Sequence, residues 1–330
     1  MFLGSASDPF AILLLALAIE LAFGDMAPVF RYLPHPKAMT GRAIGLFDKR
    51  LNREGRGDAA RRFRGAVTVI VLVGAAGALG WAIGEYLRVV RYAWLIEALL
   101  VAVFLAQRSV FAHVAVVGKA LQTDGLPGGR AAMTKLAVRV PESLDEYGVA
   151  REAIEALFEK FGGGAIAPAF WYLLLGLPGL FALNAADTLA HRIGPRSPKY
   201  LAFGWAGARF EDALHWIPAR LAAVLIWLAA LILPGAHAGA SIRATLRDAG
   251  KHRSPNAGWP AAAAAGALGL ALGGPRCSAG TIIDEAWLGD GRARVTVADI
   301  GRALVLYAAA AASFAALLLL ALGARHFPFL

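Results

Sequence analysis

The residues best suited to chemistry include two adjacent acids flanked by two arginines. Glu211 and Asp212 are neighbours in the chain, and Arg209 and Arg220 stand on either side of them. A guanidinium can hold a phosphate through two parallel hydrogen bonds. The spacing leaves two interpretations open: the arginines bind phosphate, or they simply pair with the neighbouring acids.

A second group surrounds three consecutive glycines, Gly162, Gly163 and Gly164. The backbone N–H groups of such a turn can cradle a phosphate, but no Walker or dinucleotide fingerprint accompanies these glycines. An acidic stripe precedes them on a helical pattern, and such a stripe is more often a solvated helix face. Only Glu159 adjoins the glycine turn, so it is the strongest candidate of the stripe, whose members are Asp145, Glu152, Glu155 and Glu159.

Three isolated polar residues allow both a functional and a structural interpretation. His35 lies between two prolines in an extended segment, where it contacts a substrate group such as phosphate or is inert surface. Asn256, in "SPNAGWP", touches substrate or caps a turn. Glu20 lies in an apolar stretch, where a carboxylate normally faces a polar cavity or a partner unless it sits near the end of the span.

The composition predicts a membrane protein. Hydrophobic residues form 58% of the 330 and charged residues 17%, which is more apolar than ordinary soluble domains. A helix crosses a bilayer with about 20 apolar residues. The stretches that are long enough, or nearly so, are Phe10–Phe23, Ala66–Gly84, Tyr92–Ala106, Ala165–Ala186, Ile217–Pro234 and Ala303–Gly323.

The charge distribution predicts the orientation in the membrane. The net charge is +10, and residues 31–64 hold ten Lys/Arg against three Asp/Glu. A basic segment between apolar spans is the positive-inside pattern and not a nucleic-acid surface. We therefore expect a multi-pass protein of the inner (cytoplasmic) membrane, with its active face cytoplasmic and no nucleic-acid partner.

Residues 107–164 carry seven charges of each sign, and we interpret them as an amphipathic helical cytoplasmic insertion in a single membrane domain of residues 1–330. Within it, Ser143 and Glu146 form a capping box. The glycines then end the helix in a left-handed cap. Proline and glycine at 176–179 predict a break, as a helical hairpin or as a kinked single crossing.

Together these features predict an all-α, polytopic integral membrane protein with re-entrant or broken helices. Its polar segments are expected to converge on one polar cavity that faces the cytoplasm.

The order of the polar segments resembles the CobD/CbiB family of cobalamin biosynthesis. The resemblance runs from about Glu20 to the last span. Its motifs are "LPHP", "SLDEYGVAREAIE", "APAFW", "GLPG", "FGWAGARFEDALHWIPARL", "SPNAGWP" and "GALGLALGGP".

The resemblance implies an adenosylcobinamide-phosphate synthase, an amide-forming ligase that uses ATP and Mg²⁺. Its substrates are adenosylcobyric acid, a corrinoid, and aminopropanol or its phosphate. Other cobalamin-pathway enzymes are possible partners. Carried onto this chain, the resemblance makes Glu159, Asp187, Glu211 and Asp212 catalytic, with Glu159, Asp187 and Asp212 holding the metal. It makes His35, Arg139, Gly162, Gly163, Gly164, Arg209, Arg220 and Asn256 the residues that bind substrate or phosphate.

The chain departs from the family pattern at several polar positions. Lys160 and Gly163 stand for an asparagine and an aspartate, and His215 for an asparagine; His191 also replaces a different polar residue. Two hypotheses follow. The chain is either a divergent synthase or a catalytically degenerate paralogue that acts as a corrinoid-binding or scaffolding membrane partner.

A small-molecule transporter is a third hypothesis, and Glu20 and the broken segments favour it. It is weaker, because the chain has no inverted repeat.

Overall fold

The computed structural model describes residues 8–24, 36–53, 55–136, 144–194, 197–278 and 281–326. Most of these residues are helical. The first helices are α1 (Pro9–Phe23), α2 (Pro36–Leu51), α3 (Asp58–Val89), α4 (Trp94–Phe104), α5 (Gln107–Met133) and α6 (Glu146–Phe161). The later ones are α7 (Ala167–Leu175), α8 (Leu177–Ile193), α9 (Trp205–Ile232), α10 (Ala238–Asp248), α11 (Gly258–Leu268) and α12 (Val297–His326).

Short elements join some of these helices. Thr134–Leu136 and Ala249–Lys251 are single 3₁₀ turns, and Gly162–Ile166 is a π-helical turn. Four strands of two or three residues form two antiparallel pairs. They are β1 (Leu272–Gly273) with β4 (Trp287–Leu288), and β2 (Arg276–Ser278) with β3 (Thr281–Ile283). The predicted all-α class is confirmed, because these strands are too short to form a sheet layer.

Within the part of the chain that the structure describes, four helical stretches are long and apolar enough to cross a membrane: Asp58–Val89, Trp94–Met133, Trp205–Ile232 and Val297–His326. Only 17% of the most apolar window of α3 is buried in the protein. Its exposed side chains include Ile70, Leu79 and Trp81, which lipid would cover. The protein is therefore polytopic, as its composition predicted.

Two predicted spans differ from the crossings that the sequence suggested. The stretch Phe10–Phe23 is one apolar helix of 15 residues. The stretch Ala165–Ala186 is broken into α7 and α8 at Gly176, whose φ of 67° lies in the left-handed region. The predicted break at 176–179 is therefore confirmed.

The chain folds into two compact units. The first comprises residues 1–105 and 167–215, and the second comprises residues 106–166 and 216–330. The prediction of a single membrane domain with a cytoplasmic insertion at 107–164 stays a prediction, as does the cytoplasm-facing cavity.

In the first unit, α3 packs closely against α8. Gly80 lies where an added Cβ would come within 2.6 Å of the carbonyl oxygen of Leu177, so only glycine allows the two backbones to approach this far. The chain also folds back on itself after α7. A Cβ on Gly179 would lie 2.5 Å from the carbonyl oxygen of Trp171, whereas residues eight apart in one helix are about 12 Å apart. This close approach favours a hairpin over a kinked single crossing.

A polar contact and a ring contact tie α4 to this hairpin. The hydroxyl of Tyr172 donates to a carboxylate oxygen of Glu97 at 2.9 Å. The rings of Phe104 and Phe181 lie 5.2 Å apart between centroids. These two contacts hold α4 against the hairpin in addition to aliphatic packing.

In the second unit, α6 is central. Its buried residues include Val149, Ile154, Leu157 and Phe158, and the buried set extends round most of the helix. The alanine-rich α11 is buried on all sides and packs on α10, where the hydroxyl of Ser241 donates to the carbonyl of Ala263 at 2.6 Å. Small side chains let these helices approach closely, so polar groups can bond across them.

Two predictions about α6 are wrong. Its N-cap is Asp145, whose side chain accepts from the N–H of Gly148 at 2.7 Å; the predicted cap, Ser143, lies outside the described residues. Gly162 is right-handed, with φ −63°, and does not form a left-handed cap. The chain instead continues through the π turn directly into α7, and π turns are frequent at functional sites.

Candidate functional site

The best-formed polar cluster consists of Asp187, Glu211 and His215 in the first unit. Helix α8 supplies Asp187, and α9 supplies Glu211 and His215 four residues apart, which places both on one helix face. The Nε2 atom of His215 lies 2.8 Å from Oδ1 of Asp187 and 3.6 Å from Oε1 of Glu211. His215 is buried, while the two acids are partly exposed.

This cluster has the geometry of a cation site. One ligand atom from each residue lies within 4.8 Å of the others. Two ligands that share an ion at about 2.1 Å, at tetrahedral or octahedral angles, stand about 3.0–3.4 Å apart. The distances of 2.8 and 3.6 Å from His215 to the acids bracket this range. The three ligand atoms together are bounded only by 4.8 Å, so a shared cation would require the side chains to move closer to one another.

The donor set is mixed and only partly suits Mg²⁺. Two carboxylates are typical Mg²⁺ ligands, but Mg²⁺ prefers oxygen throughout, and the third donor is an imidazole nitrogen. A buried amide oxygen, Oδ1 of Asn184, has no hydrogen-bond partner among the described residues. Asn184 stands three residues before Asp187 on α8, so the two side chains are about 60° apart around the helix axis.

Asp212 is not part of this cluster. Asp212 pairs with Arg209, three residues earlier on α9, at 3.4 Å, and its role as a metal ligand stays a prediction. The pairing interpretation therefore holds for Arg209 in this structure, and the predicted phosphate contact by Arg209 stays a prediction. The third position of the cluster belongs to His215, which stands where the family pattern has an asparagine.

Arg220, in the second unit, lies between two tryptophan rings. Its guanidinium carbon is 3.8 Å from the ring centroid of Trp216 and 4.2 Å from that of Trp259. It also donates to the carbonyl of Trp216 at 2.6 Å. Such stacking fixes the plane of a guanidinium while leaving its edge for other acceptors. The structure therefore fixes the position of this cation and shows no acid paired with it among the described residues, and phosphate binding by Arg220 stays a prediction.

The glycine turn lies beside the same α9 and α11 segments. A Cβ on Gly162 would lie 3.5 Å from Pro260 and 3.7 Å from Ala222. The N–H of Gly162 already donates to the carbonyls of Phe158 and Glu159, so this N–H is not available to an anion. Phosphate binding at Gly163 and Gly164 stays a prediction.

The acidic stripe of α6 does not behave as one surface. Glu159, the strongest candidate from the sequence, is exposed. Glu155 is only 3% exposed. Its carboxylate oxygens lie 3.2 Å from Nε2 of His252 and 3.1 Å from the N–H of Gly273. Glu152 and Glu155 are therefore the buried members of the stripe, and Glu155 makes the contacts with His252 and Gly273.

The pair formed by His252 and Glu155 is an ionic contact in the second unit. Burial of His252 lowers its pKa, but the hydrogen bond and the negative charge of Glu155 outweigh burial, so the pKa is raised above its ordinary value. The protonated imidazole therefore donates to the carboxylate. Sequence reasoning missed this pair, and the only local signal was the position of His252 just before the "SPNAGWP" motif.

The remaining predicted residues are placed as follows. Asn256 is buried in the turn before α11, where the hydroxyl of Ser254, and not the amide of Asn256, accepts the backbone N–H of Ala257 at 3.2 Å. Glu20 is fully buried in the last turn of α1. His35 and Arg139 lie outside the described residues, so their predicted roles in binding substrate stay predictions.

Comparison with known proteins gives one consistent result. The family described as CobD/Cbib protein matches residues 13–307. The chain is 47% identical over 299 residues to "Cobalamin biosynthesis protein CobD" of Sinorhizobium sp, covering 90% of this chain and 93% of that protein.

Two further relatives carry the same name. The protein of Sinorhizobium fredii (strain NBRC 101917 / NGR234) is 43% identical over 93% of this chain and 95% of its own length. The protein of Rhodobacter capsulatus is 38% identical over 90% of this chain and 92% of its own length. No solved structure shows a significant match. Since the match covers nearly the whole chain, this protein belongs to the CobD/CbiB family.

Proposed function

We propose that this protein acts in cobalamin biosynthesis as an amide-forming ligase. It joins the propionate carboxyl of adenosylcobyric acid to aminopropanol or its phosphate, with ATP as the energy source and Mg²⁺ accompanying the nucleotide. The observation that carries the proposal is the nearly full-length match to proteins named for cobalamin biosynthesis.

The reaction needs a carboxylate to be activated and an amine to be held beside it. The Asp187–Glu211–His215 cluster is the best candidate for the cation-binding part of the site. A cation bound there would neutralise charge on an oxygen of the carboxylate or the phosphate. Asp187 orients the imidazole of His215 by its hydrogen bond, and α9 holds Glu211 on the same face.

Arg220 is the best candidate for a phosphate contact in the second unit. The rings of Trp216 and Trp259 hold its guanidinium in one plane. A fixed guanidinium plane suits bidentate contact with a phosphate. Replacement of Arg220 by lysine would keep the positive charge but lose the bidentate donor geometry and the stacking on the two tryptophan rings.

We place the protein in the inner (cytoplasmic) membrane, with the basic end of α3 inside. Helix α2 exposes Arg42, Lys49 and Arg50 on one side, and Arg53 and Arg56 follow it before α3 begins. This concentration of cations next to an apolar helix is the pattern of a cytoplasmic loop. Corrinoid, aminopropanol or its phosphate and the bilayer are the proposed partners, together with other cobalamin-pathway enzymes.

The test is an assay of the purified protein in nanodiscs with adenosylcobyric acid, aminopropanol phosphate, ATP and Mg²⁺. We expect formation of the amide, detected by mass spectrometry, with one phosphate released per amide. Asp187→Asn should lower kcat at least about tenfold, because it removes a charge from the cluster. The matched control is Asp124→Asn, at an exposed aspartate on α5, which should keep wild-type kcat.

Two outcomes would contradict the proposal. Corrinoid binding with no turnover would favour the degenerate paralogue, and equal kcat for Asp187→Asn and the control would remove the cluster from the reaction. In the first case, Gly163→Asp would show whether restoring an acid beside the π turn restores turnover.

A further inference from the structure

The chemical identity of the donors in the Asp187–Glu211–His215 cluster suggests which cation it takes. A pair of carboxylates alone would bind many divalent cations weakly. Here an imidazole nitrogen faces both carboxylates, and its side chain is only 9% exposed, whereas those of the acids are 28% and 32% exposed. The nitrogen is therefore the fixed donor, and the two acids approach it from the more open side.

An imidazole donor separates the divalent cations into two groups. Mg²⁺ is a hard cation that keeps its waters and prefers oxygen ligands at about 2.0–2.1 Å. Imidazole nitrogen suits first-row transition cations, which also accept carboxylates. Three protein ligands leave further positions for water or a substrate oxygen. The donor set therefore favours a transition cation over Mg²⁺.

The neighbouring Asn184 supplies a second observation. Its Oδ1 atom is buried and has no hydrogen-bond partner among the described residues, and a buried oxygen without a hydrogen bond destabilises the fold. It precedes Asp187 by one turn on α8. Water carried by a cation in the cluster is a donor that would satisfy this oxygen. Hydrogen bonding between His215 and Asp187 alone leaves Asn184 unexplained.

We propose that Asp187, Glu211 and His215 form a binding site for a first-row transition cation, with Mn²⁺ bound more tightly than Mg²⁺. The inference deepens the proposed function, since it rests on the assignment of a cation to this cluster and changes the identity of that cation. Mg²⁺ remains the ion that accompanies ATP.

Mn²⁺ provides the direct test, because the free ion has an electron paramagnetic resonance signal that disappears on binding. The full chain in detergent is stripped with EDTA, dialysed and titrated with Mn²⁺ without nucleotide or corrinoid. We expect one Mn²⁺ per chain, and competition by Mg²⁺ only at about a hundredfold excess or more. Spin-echo modulation by a ¹⁴N nucleus should show that imidazole is bound to the metal.

A substitution tests the residue that sets the preference. His215→Asn replaces the nitrogen donor with an amide and should weaken Mn²⁺ binding about 10- to 100-fold, while Mg²⁺ binding changes less than about threefold. The matched control is His237→Asn, because His237 is exposed and its side chain makes no cap hydrogen bond at the start of α10. The control should bind Mn²⁺ like the wild type.

Equal affinity of the wild-type protein for Mn²⁺ and Mg²⁺, or bound Mn²⁺ without ¹⁴N modulation, would overturn the inference. Both measurements use the wild-type chain, so they stand even if His215→Asn fails to fold. Failure of the inference is distinguishable from failure of the proposed function. Amide formation with Mg²⁺ alone, together with no preference for Mn²⁺, would contradict only the transition-cation site. Tight Mn²⁺ binding without amide formation would contradict only the proposed ligase function.

Discussion

Replacing Trp171 with phenylalanine should destabilise the protein because of a proline in another helix. Pro218 lies inside α9 and has no N–H to donate to the carbonyl four residues earlier. That carbonyl belongs to Leu214, and the indole N–H of Trp171 donates to it at 3.0 Å. The indole therefore supplies the hydrogen bond that the proline removes from the helix.

The expected cost follows from this single hydrogen bond. Phenylalanine keeps an aromatic ring but removes the donor, which leaves the carbonyl of Leu214 without it in a half-buried position. We expect a loss of about 1–3 kcal/mol in the free energy of unfolding. Pro218→Ala restores an N–H in the helix, so in that background the indole is no longer needed and Trp171→Phe should cost less by about 1 kcal/mol or more.

The assay is a double-mutant cycle of unfolding free energies, measured in mixed detergent for the wild type, both single variants and the double variant. The cycle cancels the effects that each substitution has independently, including the loss of indole surface. If Trp171→Phe costs the same with proline and with alanine at position 218, the indole does not compensate for the proline and the reasoning is refuted.

Two further predictions concern stability. The pKa of His252 is raised in the folded state. Its contact with Glu155 therefore stabilises the folded state fully below about pH 6.5. This stabilisation is lost as the pH rises through the pKa that His252 has in the folded state. Thermal melts should show this decline in the wild type but not in Glu155→Gln, and an unchanged decline would contradict the ionic contact. Gly80→Ala should lower the free energy of unfolding by about 1–3 kcal/mol, because its Cβ would meet backbone atoms of Leu177. The control on the same helix, Gly74→Ala, has open space and should be neutral or stabilising by up to about 1 kcal/mol, as chemical denaturation would show; equal costs would refute the close approach.

The apolar spans were predictable because each depends on a long local run of sequence. The centres of α3, α9 and α12 lie within predicted stretches, because a run of about 20 apolar residues is long enough to cross the lipid bilayer as a helix. The start of α9 was not predictable. The predicted apolar stretch begins at Ile217, because the motif "FGWAGARFEDALHWIPARL" contains several charges before that residue. A donor 43 residues away in the chain, Trp171, allows the helix to continue.

The acids of α6 also show which features of the protein the sequence predicts and which depend on the tertiary fold. Their spacing puts Glu152, Glu155 and Glu159 on one side of a helix, but spacing cannot tell which of them meets a partner. His252 lies 97 residues from Glu155 in the chain, and it buries Glu155 and leaves the glycine-adjacent Glu159 exposed. The sequence could not identify Glu155 as the acid of this buried contact, and the predicted catalytic role of Glu159 stays a prediction.

The sequence by itself determined that the chain is helical, crosses a membrane and belongs to its family, because composition, apolar run length and motif order are local or cumulative properties. Which distant polar side chains meet depended on the tertiary fold. It joined Asp187 to His215 from another helix and Glu155 to His252, 97 residues away in the chain. A buried polar group is stable only beside a partner that the fold brings to it from a distant part of the chain.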